Sequence, residues 1–192
     1  IIAPVVTTLL WMLILDPRAG LANAALQAVG LPKIGWMYSA AWAKPSLIII
    51  SLWVGVGQPM LIFLAGLKEV PKSLLEAATI DGANNWQRYW RVIIPLLTPT
   101  IFFNLIITLI ASFQVFTTAF VATATASGTT AAGPFNSMLV YMVHLYRQGF
   151  RYSAMGYASA MAVVLFIVLV LLTLLVVRSS RSWVHYEGAP PR

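Results

Sequence analysis

The sequence predicts an all-α integral membrane protein, with about four membrane spans in a single domain over residues 1–192. Of its residues, 60% are hydrophobic and 9% are charged, which is typical of a chain embedded in lipid. Most Lys and Arg residues flank the long apolar runs. Anionic lipid and membrane topology therefore explain the net charge of +7 better than nucleic acid does.

Hydropathy along the chain sets the predicted spans. The first, at about residues 1–15, is shorter than the roughly 20 residues that a helix needs to cross the hydrocarbon, so it is interpreted as a span cut at its N-terminal end. The others are predicted at about residues 46–67, 93–122 and 154–177. The second contains Gln58 and Pro59. A proline inside a span frees a backbone carbonyl, and here either a packing kink or a role in substrate binding would explain it.

Residues 70–92, between the second and third spans, are predicted to form an elbow of two short helices. Pro71 suits a helix start because its missing N–H would be unpaired there. Gly82 suits the end of that helix because glycine adopts the left-handed conformation freely. Asn84 then offers an N-cap for the second helix, with Gln87 in the capping-box position three residues later.

The elbow resembles the loop motif of permeases from binding-protein-dependent ABC importers, which reads E-A-A, three residues, G, nine residues, I-x-L-P. Here it is Glu76-Ala77-Ala78, then Gly82, then Val92, Ile94 and Pro95, with Val for Ile and Ile for Leu as the departures. An ordinary surface helix between spans is the alternative. The resemblance implies a cytoplasmic coupling helix that docks into a groove on the ATPase subunit. The residues then expected to couple to the ATPase are Glu76, Ala77, Ala78, Asp81, Gly82 and Arg88.

The resemblance also implies the fold and the partners. The fold would be the transmembrane domain of an ABC importer, with about four spans present of a usual six. Such a permease subunit pairs with a second permease, two ATPase subunits and an extracytoplasmic solute-binding protein in the bacterial plasma membrane. ATP and Mg would be bound by the partner ATPase, so this chain is expected to hold no cofactor and to be no enzyme.

Two further segments favour a sugar or sugar-like solute. Gly133, Pro134 and Asn136 resemble a G-G-P-x-N loop of sugar permeases, although Ala132 replaces its first Gly. The last span opens with Met155-Gly156-Tyr157-Ala158, a pattern similar to that of the maltose-type and glycerol-phosphate-type permeases. The alternatives are a permease for a non-sugar solute, such as a polyamine or an anion, and a membrane-embedded enzyme or scaffold.

A polar face on the third span predicts the substrate path. At 100° per residue, one face of a continuous helix would carry Asn104, Thr108, Ser112 and Gln114. Amides and hydroxyls suit a neutral, hydroxyl-rich sugar, and Gln58 of the second span is a further candidate. The alternative is hydrogen bonding between packed helices, which contributes only about 0.6 kcal/mol per contact.

The charged residues predict the orientation and exclude several functions. Lys68, Lys72, Arg88, Arg91, Arg178 and Arg181 fall on the side of the elbow, and the positive-inside rule then places the elbow and the C-terminus in the cytoplasm. No carboxylate falls inside a predicted span, which argues against a proton-relay transporter. The sequence has no Walker A loop, no cysteine and no metal-ligand spacing, so no metal site is expected.

Overall fold

The computed structural model describes residues 3–126 and 134–184, and these are helical throughout apart from turns and short connections. The helices are α1 (Pro4–Ile14), α2 (Leu21–Ala28), α3 (Ala40–Glu69), α4 (Lys72–Ile80), α5 (Asn85–Arg88), α6 (Ile94–Leu96), α7 (Thr98–Phe113), α8 (Thr117–Ala126), α9 (Tyr141–Tyr146) and α10 (Met155–Ser180). Short 3-10 turns cover Trp36–Tyr38 and Pro134–Asn136, and π-helical turns cover Tyr89–Ile93 and Arg147–Arg151.

Three stretches of the described residues are long and apolar enough to cross a membrane: Ala40–Glu69, Thr98–Ala124 and Met155–Ser180. The first predicted span corresponds to α1, which has 11 residues and is therefore short for a span. Helix α3 begins at Ala40 rather than at about residue 46, and α10 continues to Ser180 rather than to about residue 177. Hydropathy marks only the apolar section of a helix, whereas the backbone stays helical through the polar turns beyond it.

The third predicted span, at about 93–122, is not one helix. It consists of α6, α7 and α8, with a non-helical break between Phe113 and Thr117. No Gly or Pro lies between residues 100 and 122, so composition predicts no break there. The cause is tertiary packing, because Val115 and Phe116 pack against a buried cluster of Leu47, Ala119 and Val143. Branched and aromatic side chains have weak helix propensity, so packing overrides it at small cost.

The chain divides into two units, and the division falls within α3, α7 and α10. The first unit comprises the described residues of 1–57 and 112–164. Its main core contains Met37, Ile50 and Met138, which are almost completely buried. In this unit α1 packs along α8, and α8 contacts the turn at Trp36–Tyr38.

Asn23 ties together the segment that precedes α3. It is almost completely buried, and its Nδ2 donates to the carbonyl of Ile34 at 2.9 Å. Its Oδ1 accepts from the backbone N–H of Ile34 and from Nε1 of Trp36, both at 3.1 Å. One buried amide thus pairs both backbone groups of Ile34, which fixes the middle of the α2–α3 connection.

The second unit comprises the described residues of 58–111 and 165–192. Within it, α3 and α7 approach closely at Gly66, where an added Cβ would lie 2.8 Å from Oγ1 of Thr100 and 3.1 Å from Cδ2 of Leu97. The ring of Phe102 also contacts that of Trp183, with a centroid separation of 6.1 Å. This unit carries the elbow formed by α4, α5 and the π-helical turn.

Candidate functional site

The first helix of the elbow, α4, lies at the surface of its unit. Pro71 is its N-cap, with φ −62° and ψ 127°, and the helix begins at Lys72. None of its nine residues is buried, and Ile80 and Leu74 are 86% and 43% exposed. Glu76 and Ala77 are also exposed, and Ala78 is half-buried. An isolated helix of this length is marginal in water, so its caps matter.

Gly82 ends α4 with a left-handed turn, as predicted from its sequence position. Its φ is +77°, and its N–H donates to the carbonyl of Thr79 at 3.0 Å. The N–H of Ala83 donates to the carbonyl of Ala78 at 2.9 Å. These two bonds form a Schellman motif, which pairs carbonyls that would otherwise be left open at the helix end.

A capping box starts α5, also as predicted. The N–H of Gln87 donates to Oδ1 of Asn84 at 2.8 Å, and the N–H of Asn84 donates to Oε1 of Gln87 at 2.9 Å. These reciprocal bonds pair two of the open backbone donors at the start of the helix. The direction in which the chain leaves the turn is therefore fixed within four residues.

Arg88 joins the two elbow helices. Its guanidinium donates to Oγ1 of Thr79 at 2.8 Å, and to Oδ1 of Asn85. Both acceptors are neutral, so the positive charge of the guanidinium stays available to an acidic group. The two hydrogen bonds also hold α5 against the end of α4. Sequence reasoning placed Arg88 among the coupling residues, but it did not anticipate this bracing contact.

A cleft of about 370 Å³ lies in the crook of the elbow. Asp81 and Arg91, both exposed, bring opposite charges to its wall. At Gly82, which has no side chain, the backbone itself lines the cleft. The lining residues are Ala78, Asp81, Gly82, Ala83, Gln87, Arg91 and Val92.

A π-helical turn at Tyr89–Ile93 follows α5, and sequence reasoning missed it. Pro95 supplies the physical reason, since a proline has no N–H for the carbonyl four residues earlier and its ring clashes with that carbonyl. Widening the preceding turn relieves the clash, and π-turns are frequent at functional sites. Trp86, Tyr89 and Trp90 form an exposed aromatic cluster here, with ring centroids 5.4 to 6.3 Å apart.

The residues predicted for the substrate path lie in different surroundings. In the second unit, Gln58 and Thr108 are exposed, whereas Asn104 is buried and its Nδ2 donates to the carbonyl of Thr100 at 3.0 Å. In the first unit, Ser112 and Gln114 are exposed. Gln114 lies in the break after α7, so the helical register that related it to Asn104 ends at Phe113. The prediction of one continuous helical face through Gln114 is therefore wrong.

The segment that resembles the G-G-P-x-N loop of sugar permeases lies only partly within the described residues. Gly133 and Ala132 lie outside the described residues. Phe135 and Asn136 both adopt left-handed conformations, with φ of 52° and 57°. Such angles are uncommon outside glycine and cluster at functional sites. Oδ1 of Asn136 accepts a hydrogen bond from Nη1 of Arg147 at 3.4 Å, which links this loop to the turn after α9.

Two of the known proteins to which the chain is similar are permease proteins of transport systems. The probable ABC transporter permease protein YesP of Bacillus subtilis is 44% identical over 170 residues, covering 88% of this chain and 53% of the relative. The arabinooligosaccharides transport system permease protein AraP of the same species is 33% identical over 168 residues, covering 88% of this chain and 52% of the relative. The chain thus spans about half the length of these curated relatives.

A solved structure and a family model agree with these relatives. The structure is a bacterial alginate ABC transporter in complex with alginate pentasaccharide-bound periplasmic protein; one of its chains has a TM-score of 0.82 and 26% identity, covering 94% of this chain and 61% of that one. The model for binding-protein-dependent transport system inner membrane components matches residues 1–185. The chain therefore belongs to the family of binding-protein-dependent transport system inner membrane components.

Proposed function

We propose that this chain is a permease subunit of an ATP-driven ABC importer that moves a sugar or sugar-like solute across the plasma membrane. The observation that carries the proposal is the elbow, whose helix α4 buries no residue and exposes Leu74 and Ile80. An amphipathic helix that buries none of its residues and leaves large apolar side chains exposed is suited to a partner protein, because exposed apolar side chains mark interaction sites.

The partner for this surface is the ATPase subunit. Glu76 and Asp81 are exposed on the same short segment as Ile80, so the elbow offers carboxylates beside an apolar contact. A basic residue of the ATPase would face Glu76, and the groove would bury Ile80. Closure of the ATPases on ATP would then move the elbow, with Gly82 and Arg88 keeping α4 and α5 in one fixed arrangement.

The solute is a carbohydrate. AraP is a permease for arabinooligosaccharides, and the similar solved structure is an alginate transporter, so both relatives support this substrate class. Polar side chains on the spans supply the hydrogen bonds, because exposed amides and hydroxyls at membrane depth are costly in lipid and suit a water-filled path. The proposed path residues are the exposed Gln58, Thr108, Ser112 and Gln114, together with the buried Asn104.

The remaining partners follow from the family. They are a second permease, a solute-binding protein on the extracytoplasmic side, and membrane lipid. The elbow and the C-terminus face the cytoplasm, an orientation that the Lys and Arg around the elbow support through the positive-inside rule. A cysteine at Ser73 should then resist an impermeant thiol reagent in intact cells, and one at Gln27 should react; the opposite labelling would reverse the orientation. Ser127, another position on the extracytoplasmic side, lies outside the described residues.

Docking of the ATPase is tested most sharply at Ile80. The substitution Ile80→Asp leaves the folded chain little changed, because the side chain is 86% exposed. Burial of one aliphatic side chain is worth about 1.5–3 kcal/mol, so the ATPase should bind roughly ten- to a hundredfold more weakly. The readout is the amount of ATPase that copurifies with the permease from membranes.

A matched control is Leu31→Asp, which introduces the same charge at another exposed aliphatic residue, in the connection before α3. This variant should retain the ATPase. Equal loss in both variants, or full retention in Ile80→Asp, would remove the support for ATPase docking at the elbow.

The path is tested by alanine at Asn104 or Gln114. Either variant should weaken sugar uptake or change sugar preference, with an unchanged amount of assembled complex. If both variants lose assembly instead, the polar residues of this segment pack against neighbouring helices, and the solute must be contacted elsewhere, for example at Gln58.

A further inference from the structure

A cavity of about 300 Å³ lies beside the π-helical turn that follows α9, and none of the elbow residues or proposed path residues lines it. Its volume is at the lower end of the range for small-molecule sites. Every lining residue belongs to the first unit: Phe120, Tyr146, Arg147, Phe150 and Arg151. The cavity thus combines three aromatic rings with two cationic side chains.

The aromatic wall is a set of rings held by one another. Tyr146 packs edge-on against Phe120, with centroids 5.1 Å apart, and stacks on Phe150 at 5.2 Å and 25°. Phe150 is nevertheless 66% exposed, so one of its faces is fixed by Tyr146 while much of the ring stays open. A flat, preorganised apolar surface of this kind suits the C–H face of a sugar ring.

The cationic side of the cavity is set by Arg147. Its Nη2 donates to the hydroxyl of Tyr152 at 3.1 Å and its Nη1 to Oδ1 of Asn136 at 3.4 Å, so both acceptors are neutral. The guanidinium also lies 5.9 Å from the centre of the Tyr152 ring. Its Nε is buried and has no hydrogen-bond partner. A buried, unpaired donor is costly, and a guanidinium forms its strongest bonds with carboxylate or phosphate.

We propose that this cavity binds an acidic saccharide unit, with its ring face against Phe150 and its carboxylate on Arg147. Arg151 adds a second positive charge to the same wall. The inference rests on the proposed import of carbohydrate and names its substrate class as anionic. In the orientation proposed above, the connection between the third and the last predicted spans is extracytoplasmic, so the site would meet the solute on that side.

Binding of a matched pair of sugars tests this proposal. The probes are a galacturonate trisaccharide and its fully methyl-esterified, neutral form, titrated against the assembled transporter in phosphatidylcholine nanodiscs. The acidic form should bind more tightly than the ester. A hydrogen bond to a charged group is worth enough that Arg147→Gln should weaken the acidic form about ten- to a hundredfold and leave the ester nearly unchanged.

Two variants keep the test valid if Arg147→Gln disturbs the fold. Arg147→Lys keeps the charge and should retain part of the preference for the acidic form. Phe150→Ala removes a ring that is mostly exposed, and it should weaken the binding of both probes. The control Arg18→Gln removes one exposed arginine from the same side of the membrane, and it should change neither affinity.

Equal binding of the two probes by the wild type, or an equal effect of Arg147→Gln and Arg18→Gln, would overturn the inference. A third outcome would assign the anion at Arg147 to lipid: the acidic probe fails to bind in phosphatidylglycerol nanodiscs, and Arg147→Gln does not change its binding in phosphatidylcholine nanodiscs. This outcome would also overturn the inference. These outcomes are separate from the proposed function, which fails if the transporter takes up no saccharide or copurifies with no ATPase.

Discussion

Gly82→Val is the change that addresses the coupling role of the elbow most directly. Gly82 has a φ of +77°, and an ideal Cβ added there would meet no heavy atom within 4 Å. At the Cβ position, therefore, a side chain meets no steric clash. The cost of the substitution is the left-handed backbone, about 1–2 kcal/mol for a residue with a Cβ.

That cost falls on a helix with no buried residue to resist it. A change of 1–2 kcal/mol shifts a conformational equilibrium by a factor of roughly 5–30, so α4 should often leave its Schellman cap. Uptake of sugar and stimulation of the ATPase by the loaded binding protein should both fall, while the amount of permease in the membrane stays normal. Gly82→Asn should retain most activity, because asparagine tolerates the left-handed conformation.

Gly30 provides a matched control within the same chain. Its φ is +79° with no heavy atom near an added Cβ, and it ends α2 with the same pair of bonds. The N–H of Gly30 donates to Gln27 at 3.0 Å, and that of Leu31 to Leu26 at 2.9 Å. Gly30→Val should carry the same backbone cost without uncoupling the ATPase. Full transport and ATPase stimulation in Gly82→Val, or an equal loss in Gly30→Val, would refute the coupling argument.

Three further outcomes are expected. Asn23→Leu should lower the thermal unfolding temperature of the solubilised protein, because leaving one buried polar group unpaired costs about 1–3 kcal/mol. Gln27→Leu, at an exposed position, should not lower it. Gly66→Ala should destabilise by about 1–3 kcal/mol through overpacking, while Gly156→Ala, with open space at its Cβ, should not. Hydrogen bonds from the backbone amides of Ala19 and Arg18 hold the pKa of Asp16 below its ordinary value. Protection of those amides from hydrogen exchange should therefore hold at neutral pH and be lost in acid, as the pH falls through the lowered pKa.

The parts of the elbow that sequence reasoning predicted depend on interactions between residues close in the chain. The Asn84–Gln87 capping box joins residues three apart, and the turn at Gly82 depends on one residue's freedom to adopt a positive φ. The helical, membrane-spanning class of fold depends on composition and on the length of apolar runs. Such features leave a direct mark on the sequence, because no distant contact is needed to specify them.

Contacts between distant residues account for what was missed. Asn23 pairs with Ile34 and Trp36, which lie 11 and 13 residues away, and nothing in the spacing distinguishes it from an ordinary surface asparagine. Arg88 likewise reaches Thr79 across a turn, nine residues back. The cavity at Arg147 requires α8 and the turn after α9 to pack together, which no local pattern specifies. The π-turn before Pro95 is the exception, since the proline marks it.

The break after Phe113 shows why a helical-wheel argument holds for part of the proposed path and fails for the rest. Within α7, Thr108 and Ser112 are four residues apart, so they lie about 40° from each other around the helix, and both are exposed. Asn104 precedes them by the same interval, but its amide is bonded to its own helix at Thr100. Beyond Phe113 the direction of each side chain is set by how Val115 and Phe116 pack, and no longer by a fixed angle per residue. The periodicity of the sequence therefore supports Thr108 and Ser112 as neighbours on one polar stripe, whereas a role for Gln114 depends on packing around the break.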